Sequence, residues 1–156
     1  MALSVPSTAS KPFVEEFPPY CCVILKESSS GAIFLEQRPN DAKVAAGKLT
    51  CFGGKREGDE TPLACIQREV KEELGLALRD EELSRAVDLF VDDKLIAWFY
   101  QHPAPARDAA LVFEEGREGI WLSEAEAAAD PPSISPWHAE VLRAYRKGVT
   151  RADFKS

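Results

Sequence analysis

Glu69, Glu72 and Glu73 stand at i, i+3 and i+4, a spacing that gathers three carboxylates on one face of a helix. Like charges this close repel and raise one another's pKa unless a cation joins them. Hard oxygen donors are what Mg²⁺ prefers, its shell usually completed by water and substrate phosphates. The acidic trio therefore predicts a metal site for phosphate chemistry. Arg68 precedes Glu72 by four residues, within reach of an ion pair that would lock a ligand's rotamer. Upstream runs Lys48-Leu49-Thr50-Cys51-Phe52-Gly53-Gly54-Lys55, where paired glycines let backbone approach a ligand closely. Gly54 can lend a carbonyl oxygen to a metal, and Lys55 can meet a phosphate as a point charge. Phe52 and Gly53, beside that turn, are expected in the substrate cleft.

The element carrying the trio is legible from its ends. Thr61 is a good N-cap, Pro62 suits the first turn, and Gly75 supplies a permissive stop. Leu63, Ile66, Val70 and Leu74 repeat at three and four residues and form an apolar stripe. At about 100° per residue the carboxylates lie beside that stripe, so one edge can bury while its neighbour faces a cleft. Taken alone, a charge run such as 68–73 more often marks a solvated helix face; the glycines before it tilt the reading toward a site.

From Gly54 to Leu76 the residues resemble the signature of the Nudix hydrolases. Seven fixed residue types (Gly54, Glu60, Arg68, Glu69, Glu72, Glu73, Gly75) and two aliphatic positions (Val70, Leu76) are all filled. From average residue usage, a chance match at one start position is on the order of 10⁻¹⁰. The resemblance implies an α/β chain in which a mixed β-sheet is sandwiched between helices (α/β/α). It implies hydrolysis of a nucleoside diphosphate linked to another moiety, with Mg²⁺ or Mn²⁺ as cofactor. By position, Glu69, Glu72 and Glu73 match the metal-binding glutamates, Glu69 also matching a general base in some members. Arg68 matches the arginine that orients them, Gly54 a glycine whose carbonyl touches metal, and Glu60 a structural position. A further carboxylate commonly comes from a later loop; Glu115 is the best candidate here, with Glu114 and Glu118 competing.

The chemistry such a site performs is positioning and charge neutralisation rather than covalent help. Substrate identity is less legible. The proline typical of ADP-ribose hydrolases is absent near Val91 and Asp92, and so is the tyrosine of dinucleoside polyphosphate hydrolases near Asp92 to Lys94. The usual Phe-Pro-Gly-Gly lead-in is Cys51-Phe52-Gly53-Gly54, a departure shared with some oxidised-nucleotide hydrolases. Nucleoside triphosphates, damaged ones included, thus stand ahead of nucleotide sugars and other nucleotide conjugates. Asp130 is a weak candidate for the guanine-reading side chain of some members. A reading of a different class is a non-catalytic Nudix-fold module that senses a nucleotide; against it, sensors often lose glutamates that this chain keeps.

Composition bounds the rest. A chain of 156 residues suits one domain, able to bury about 68–70% of its unfolded surface. The net charge of −7 argues against a nucleic-acid polymer as partner, which would need basic surface. The expected partner is a small-molecule nucleotide, held by a monomer or homodimer. Cys21, Cys22, Cys51 and Cys65 lack C-x-x-C spacing and neighbouring histidines, which predicts free thiols in a reducing cytoplasm. Residues 1–19 read as an N-terminal arm without a signal core, 20–150 as the domain and 151–156 as a C-terminal tail. No segment reaches the length of a membrane span.

Within the domain, 20–26 and 32–37 read as strands around a Ser-rich turn. Arg38 opens a polar loop to Gly47 that is expected to line the cleft and bind substrate. Residues 85–91 and 95–101 flank Asp92-Asp93-Lys94 as a hairpin, and 119–122 form a short strand. A last helix spans 136–147, with Trp137, Val141, Leu142 and Tyr145 at helical spacing. His102 and His138 are expected at surface or structural positions. Trp98, Phe99 and Tyr100 read as core aromatics.

Overall fold

A computed structural model of the chain describes residues 13–114 and 116–156. Eight strands form one mixed sheet: β1 (Tyr20–Lys26), β2 (Ile33–Gln37), β3 (Leu49–Thr50), β4 (Phe52–Lys55), β5 (Ser84–Val91), β6 (Lys94–Pro103), β7 (Glu118–Leu122) and β8 (Arg151–Phe154). The main path runs β3-β2-β1-β6-β5-β8, with β4 added to β1 and β7 to β2. The β1–β6 and β5–β8 ladders are parallel and the others antiparallel. Helix α1 (Pro62–Leu74) covers one face, α3 (Pro136–Arg146) the other, and the short α2 (Glu124–Ala128) follows β7.

The continuous apolar run of β1 is explained by this sandwich, because a strand covered on both faces has no polar side. Cys21, Val23 and Leu25 pack under α1, while Cys22 and Ile24 pack under α3. Helix α1 buries Cys65, Ile66, Val70 and Leu74 completely; Thr61 Oγ1 accepts from the Ala64 N–H at 3.2 Å and Gly75 closes the last turn. Asp92 and Asp93 both take positive φ (47° and 66°), the two-residue turn whose twist matches the strands it joins, β5 and β6. Among the described residues, no helix is long and apolar enough to cross a membrane.

Two boundaries differ from the sequence expectation. Residues 151–154 are a strand rather than a tail: they pair in parallel with 88–91 of β5, and Ala152 turns into the α3-side core. Four residues are too few to show a period, and the pairing partner lies some sixty positions away. At the other end, the described part of the arm packs against the sheet. The Val14 N–H donates to Asp88 Oδ2 at 3.1 Å, and the Phe17 ring meets Trp98 edge-on at 5.6 Å. Trp137, counted with the apolar face of α3, is instead exposed at the start of that helix.

Candidate active site

Strand β1 changes partner along its length. Tyr20 to Val23 pair with β4, whereas only Leu25 and Lys26 pair with β2. A cavity of about 620 Å³ lies between these diverging strands, within the range of small-molecule sites. Its walls take Gly53 and Gly54 from β4, Glu69 and Glu73 from α1, Glu36 and Arg38 from β2 and the loop after it, and Arg117. Leu89, Ile96, Phe99, Trp137 and Phe154 make its apolar side. One half is therefore charged and the other suited to a flat apolar group.

Arg68 organises the acidic rim. Its Nε and Nη2 grip Glu60 at 2.6 and 3.0 Å, and Nη2 also donates to the Lys55 carbonyl at 3.1 Å. Nη1 reaches Glu69 Oε1 at 3.0 Å and Glu72 Oε2 at 3.2 Å. The Arg68 bonds hold the Glu60 carboxyl down to about 2, whereas burial raises that of Glu69 above its usual range. Glu69 and Glu72 thus already share one cationic nitrogen. Glu69 also lies flat against Gly54, where a Cβ would sit 2.6 Å from either carboxylate oxygen. Gly53 is required for another close approach: at φ 150° its Cβ would fall 2.6 Å from Cys22 Cα on β1.

Glu73 faces a different set of groups. It is buried, its Oε1 accepting from the Gly53 N–H at 3.1 Å and its Oε2 from Arg117 Nη1 at 3.0 Å. The same Nη1 bonds Glu36, which is fully enclosed and also takes Arg38 Nη1 at 3.2 Å and the Thr50 hydroxyl at 3.4 Å. Burial, with the Glu36 charge second, pushes the Glu73 carboxyl up to about 9 against the pull of Arg117. Among the described residues, no three acidic, thiol or imidazole groups converge as a ready cation cage. What fits a hard divalent ion is the rim where Glu69, packed against Gly54, and Glu72 share Arg68, while the Gly54 carbonyl accepts from Cys65 Sγ at 3.8 Å. Glu73 borders that rim from below. Glu115 lies outside the described residues; Glu114 pairs with Arg117 Nε at 2.9 Å, and Glu118 starts β7 at an exposed position.

The remaining expectations divide. Arg38 lines the cavity and is anchored by Nε to the Val44 carbonyl at 2.8 Å. Gly53 lines it as well. Phe52 does not: alternation along β4 turns its ring under α1, where it is fully enclosed and stacks on Phe34 at 5.5 Å. Lys55 is exposed and lies outside the cavity lining, its backbone carbonyl being the group used. Asp130 pairs with Arg143 and Arg146 at 3.4 and 3.5 Å, away from the cavity. His102 is structural as expected, accepting from the Arg79 N–H at 3.2 Å.

Three cavity residues were not selected from sequence. Glu36 had a usable signal: it follows Phe34 by two in a buried strand, so a carboxylate points inward there. Arg117 had none, because only the fold brings its loop to α1. His138, expected to be structural or at the surface, lines the cavity, with Nδ1 accepting from the Cys51 N–H at 3.1 Å. Cys22 and Cys51 also line it as free thiols, burial pushing Cys51 up to about 12 and Cys22 well above its ordinary value.

The Gly54 contact gives a direct test of the rim. Gly54→Ala should keep the fold, since its φ lies outside the left-handed region and only the tip of Glu69 must move. Displacing that carboxylate should lower turnover on the order of 10- to 100-fold, read by steady-state kinetics beside an unchanged circular dichroism spectrum.

Comparison with known proteins agrees with this geometry. A family model described as NUDIX domain matches residues 17–145. An 8-oxo-dGTP diphosphatase of Escherichia coli is 31% identical over 119 residues, covering 74% of this chain and 90% of that protein. Another 8-oxo-dGTP diphosphatase, from Haemophilus influenzae, is 30% identical over 120 residues, or 72% and 79% of the two chains. Among solved structures, a MutT protein from Methanosarcina mazei superposes with a TM-score of 0.68 at 18% identity, covering 86% of this chain and 97% of that one. At that identity it speaks for the fold alone.

Proposed function

The chain belongs to the Nudix family and is a Nudix hydrolase, and from that premise we propose that it is a divalent-metal-dependent pyrophosphohydrolase of nucleoside triphosphates, oxidised ones included. The observation that carries this reading is the two-part cavity, with a carboxylate rim beside an apolar pocket. The relatives named 8-oxo-dGTP diphosphatase support a nucleotide substrate. Net charge of −7 supports a small nucleotide rather than a polymer, and four buried free thiols support a reducing, cytoplasmic setting.

Gly54, Glu69 and Glu72 would hold Mg²⁺ or Mn²⁺, with Glu73 beneath them and Glu115 a further candidate. The bound cation would supply charge neutralisation for the anhydride oxygens and acidify water. Arg68 fixes the rotamers of Glu69 and Glu72, so little reorganisation is left for the reactive complex. Glu69, its proton affinity raised by burial, accepts the proton of the attacking water. The water oxygen bonds to phosphorus as one phosphoric anhydride bond breaks, its electron pair leaving on pyrophosphate or on the nucleoside monophosphate, according to which phosphorus is attacked. Arg38 and Arg117 line the cavity beside Glu36 and Glu73, where substrate oxygens would lie.

A nucleotide panel assayed for phosphate and pyrophosphate with Mg²⁺ or Mn²⁺ tests the reading. Triphosphates should be cleaved, chelation should stop cleavage, and nucleotide sugars should be slower. Faster cleavage of a nucleotide sugar would overturn the substrate, and binding without release would indicate a sensor.

A further inference from the structure

His138 sits in the first turn of α3 with its ring against Phe99, edge to face at 5.3 Å, and it faces the apolar half of the cavity. Its tautomer is fixed by the neighbour behind it. Nδ1 accepts the Cys51 N–H at 3.1 Å, so the neutral ring carries its proton on Nε2. Burial, aided by the Arg38 charge, pulls the imidazole down to about 4, and the ring is neutral at physiological pH. Among the described residues nothing accepts from Nε2. The neighbouring polar groups do not supply the complement: Arg38 is a donor, the Ser135 hydroxyl can donate or accept, and Glu36 is committed to Arg38, Arg117 and Thr50.

We propose that His138 is a specificity-determining residue whose Nε2–H donates to a keto oxygen of the nucleobase, so that 6-keto purines are preferred over 6-amino purines. The proposal rests on the nucleotide-hydrolase reading above. A keto oxygen gives the fixed donor its acceptor, whereas an exocyclic amino group would set N–H against N–H and leave both without a partner at the cavity wall. Trp137 and Phe154, which also line this half, offer flat surfaces for the ring itself.

dITP and dATP share sugar and phosphates and differ only at the edge in question. The wild-type chain should favour dITP in kcat/KM by about tenfold, the worth of one neutral hydrogen bond. His138→Asn keeps an acceptor for the Cys51 N–H, and hence the fold, but its amide N–H stops short of the Nε2 position; the ratio should fall to near one. His138→Gln extends a donor to the depth of Nε2 and should retain most of the preference. Calorimetric binding of dIMP and dAMP reads the same ratio without turnover, so failure of hydrolysis and failure of base selection are separable. A wild-type ratio near one, an unchanged ratio in His138→Asn, or equal losses on both nucleotides would overturn the assignment.

Discussion

Glu72→Gln should abolish nucleotide cleavage, by about 10²–10³-fold or more in kcat, while moving the unfolding midpoint by less than about 2 °C. The two halves of that result have separate physical sources. The Glu72 side chain is 58% exposed and its ion pair with Arg68, at 3.2 Å, is of the i,i+4 kind. Exposed pairs of that kind contribute about 0.3–0.5 kcal/mol, too little to shift the fold visibly. Turnover is different, since an amide keeps the shape of the rim but removes one of the carboxylate charges that would hold a divalent ion. Thermal unfolding beside a phosphate-release assay measures both quantities. Near-native turnover would sink the metal-rim assignment, and a large loss of stability would mean Glu72 supports the fold in some other way.

Arg117→Met should instead cost about 3–5 kcal/mol of stability, because Glu36 and Glu73 would be left buried without their shared cation. For a chain of this size that corresponds to roughly 10 °C or more in the unfolding midpoint. Adding Glu36→Gln should return part of the loss, as the second change removes a buried charge left with Arg38 as its cation. The deficit should also depend on pH with a definite sign. Glu73 has a folded pKa of about 9 against an ordinary 4.5, and Arg117 is what opposes a further rise. A carboxyl raised on folding contributes stability below about 4.5 that is lost as pH climbs toward its folded value. Both chains lose that contribution alike up to about pH 9; above it Glu73 ionises beside Arg117 in the wild type but stays protonated without it, so the metal-free variant should sit closer to wild type at pH 7 than at pH 10 in urea unfolding. An equal deficit at both pH values would refute the buried-carboxylate account.

These two residues mark the limits of what the chain discloses by itself. Much that is local was legible: the caps and stripe of α1, the apolar run of β1 that two-sided burial demands, and the Asp92-Asp93 turn, though not the short strands at 49–50 and 52–55. Glu69, Glu72 and Arg68 were legible too, because helical spacing alone brings them together. Contacts made by long-range pairing were not. Arg117 meets Glu73 only because β7 joins β2 and carries the preceding loop to α1. Phe52 misled because nearness to the glycines in sequence says nothing of which face of β4 a side chain takes; the pleat sent it to the opposite core. Residues 151–154 became a strand through a partner that no short window contains.

The enclosed thiols beside the cavity bear on how the chain meets an oxidant. Peroxide attacks the thiolate form, and a sulfhydryl with a pKa near 12 presents that form at a fraction on the order of 10⁻⁵ at neutral pH. Cys22 and Cys51 would therefore ride out an oxidant burst as spectators, with sulfenic acid formation suppressed at the wall of the pocket. Resistance of this sort comes from the same burial that shapes the wall of the site.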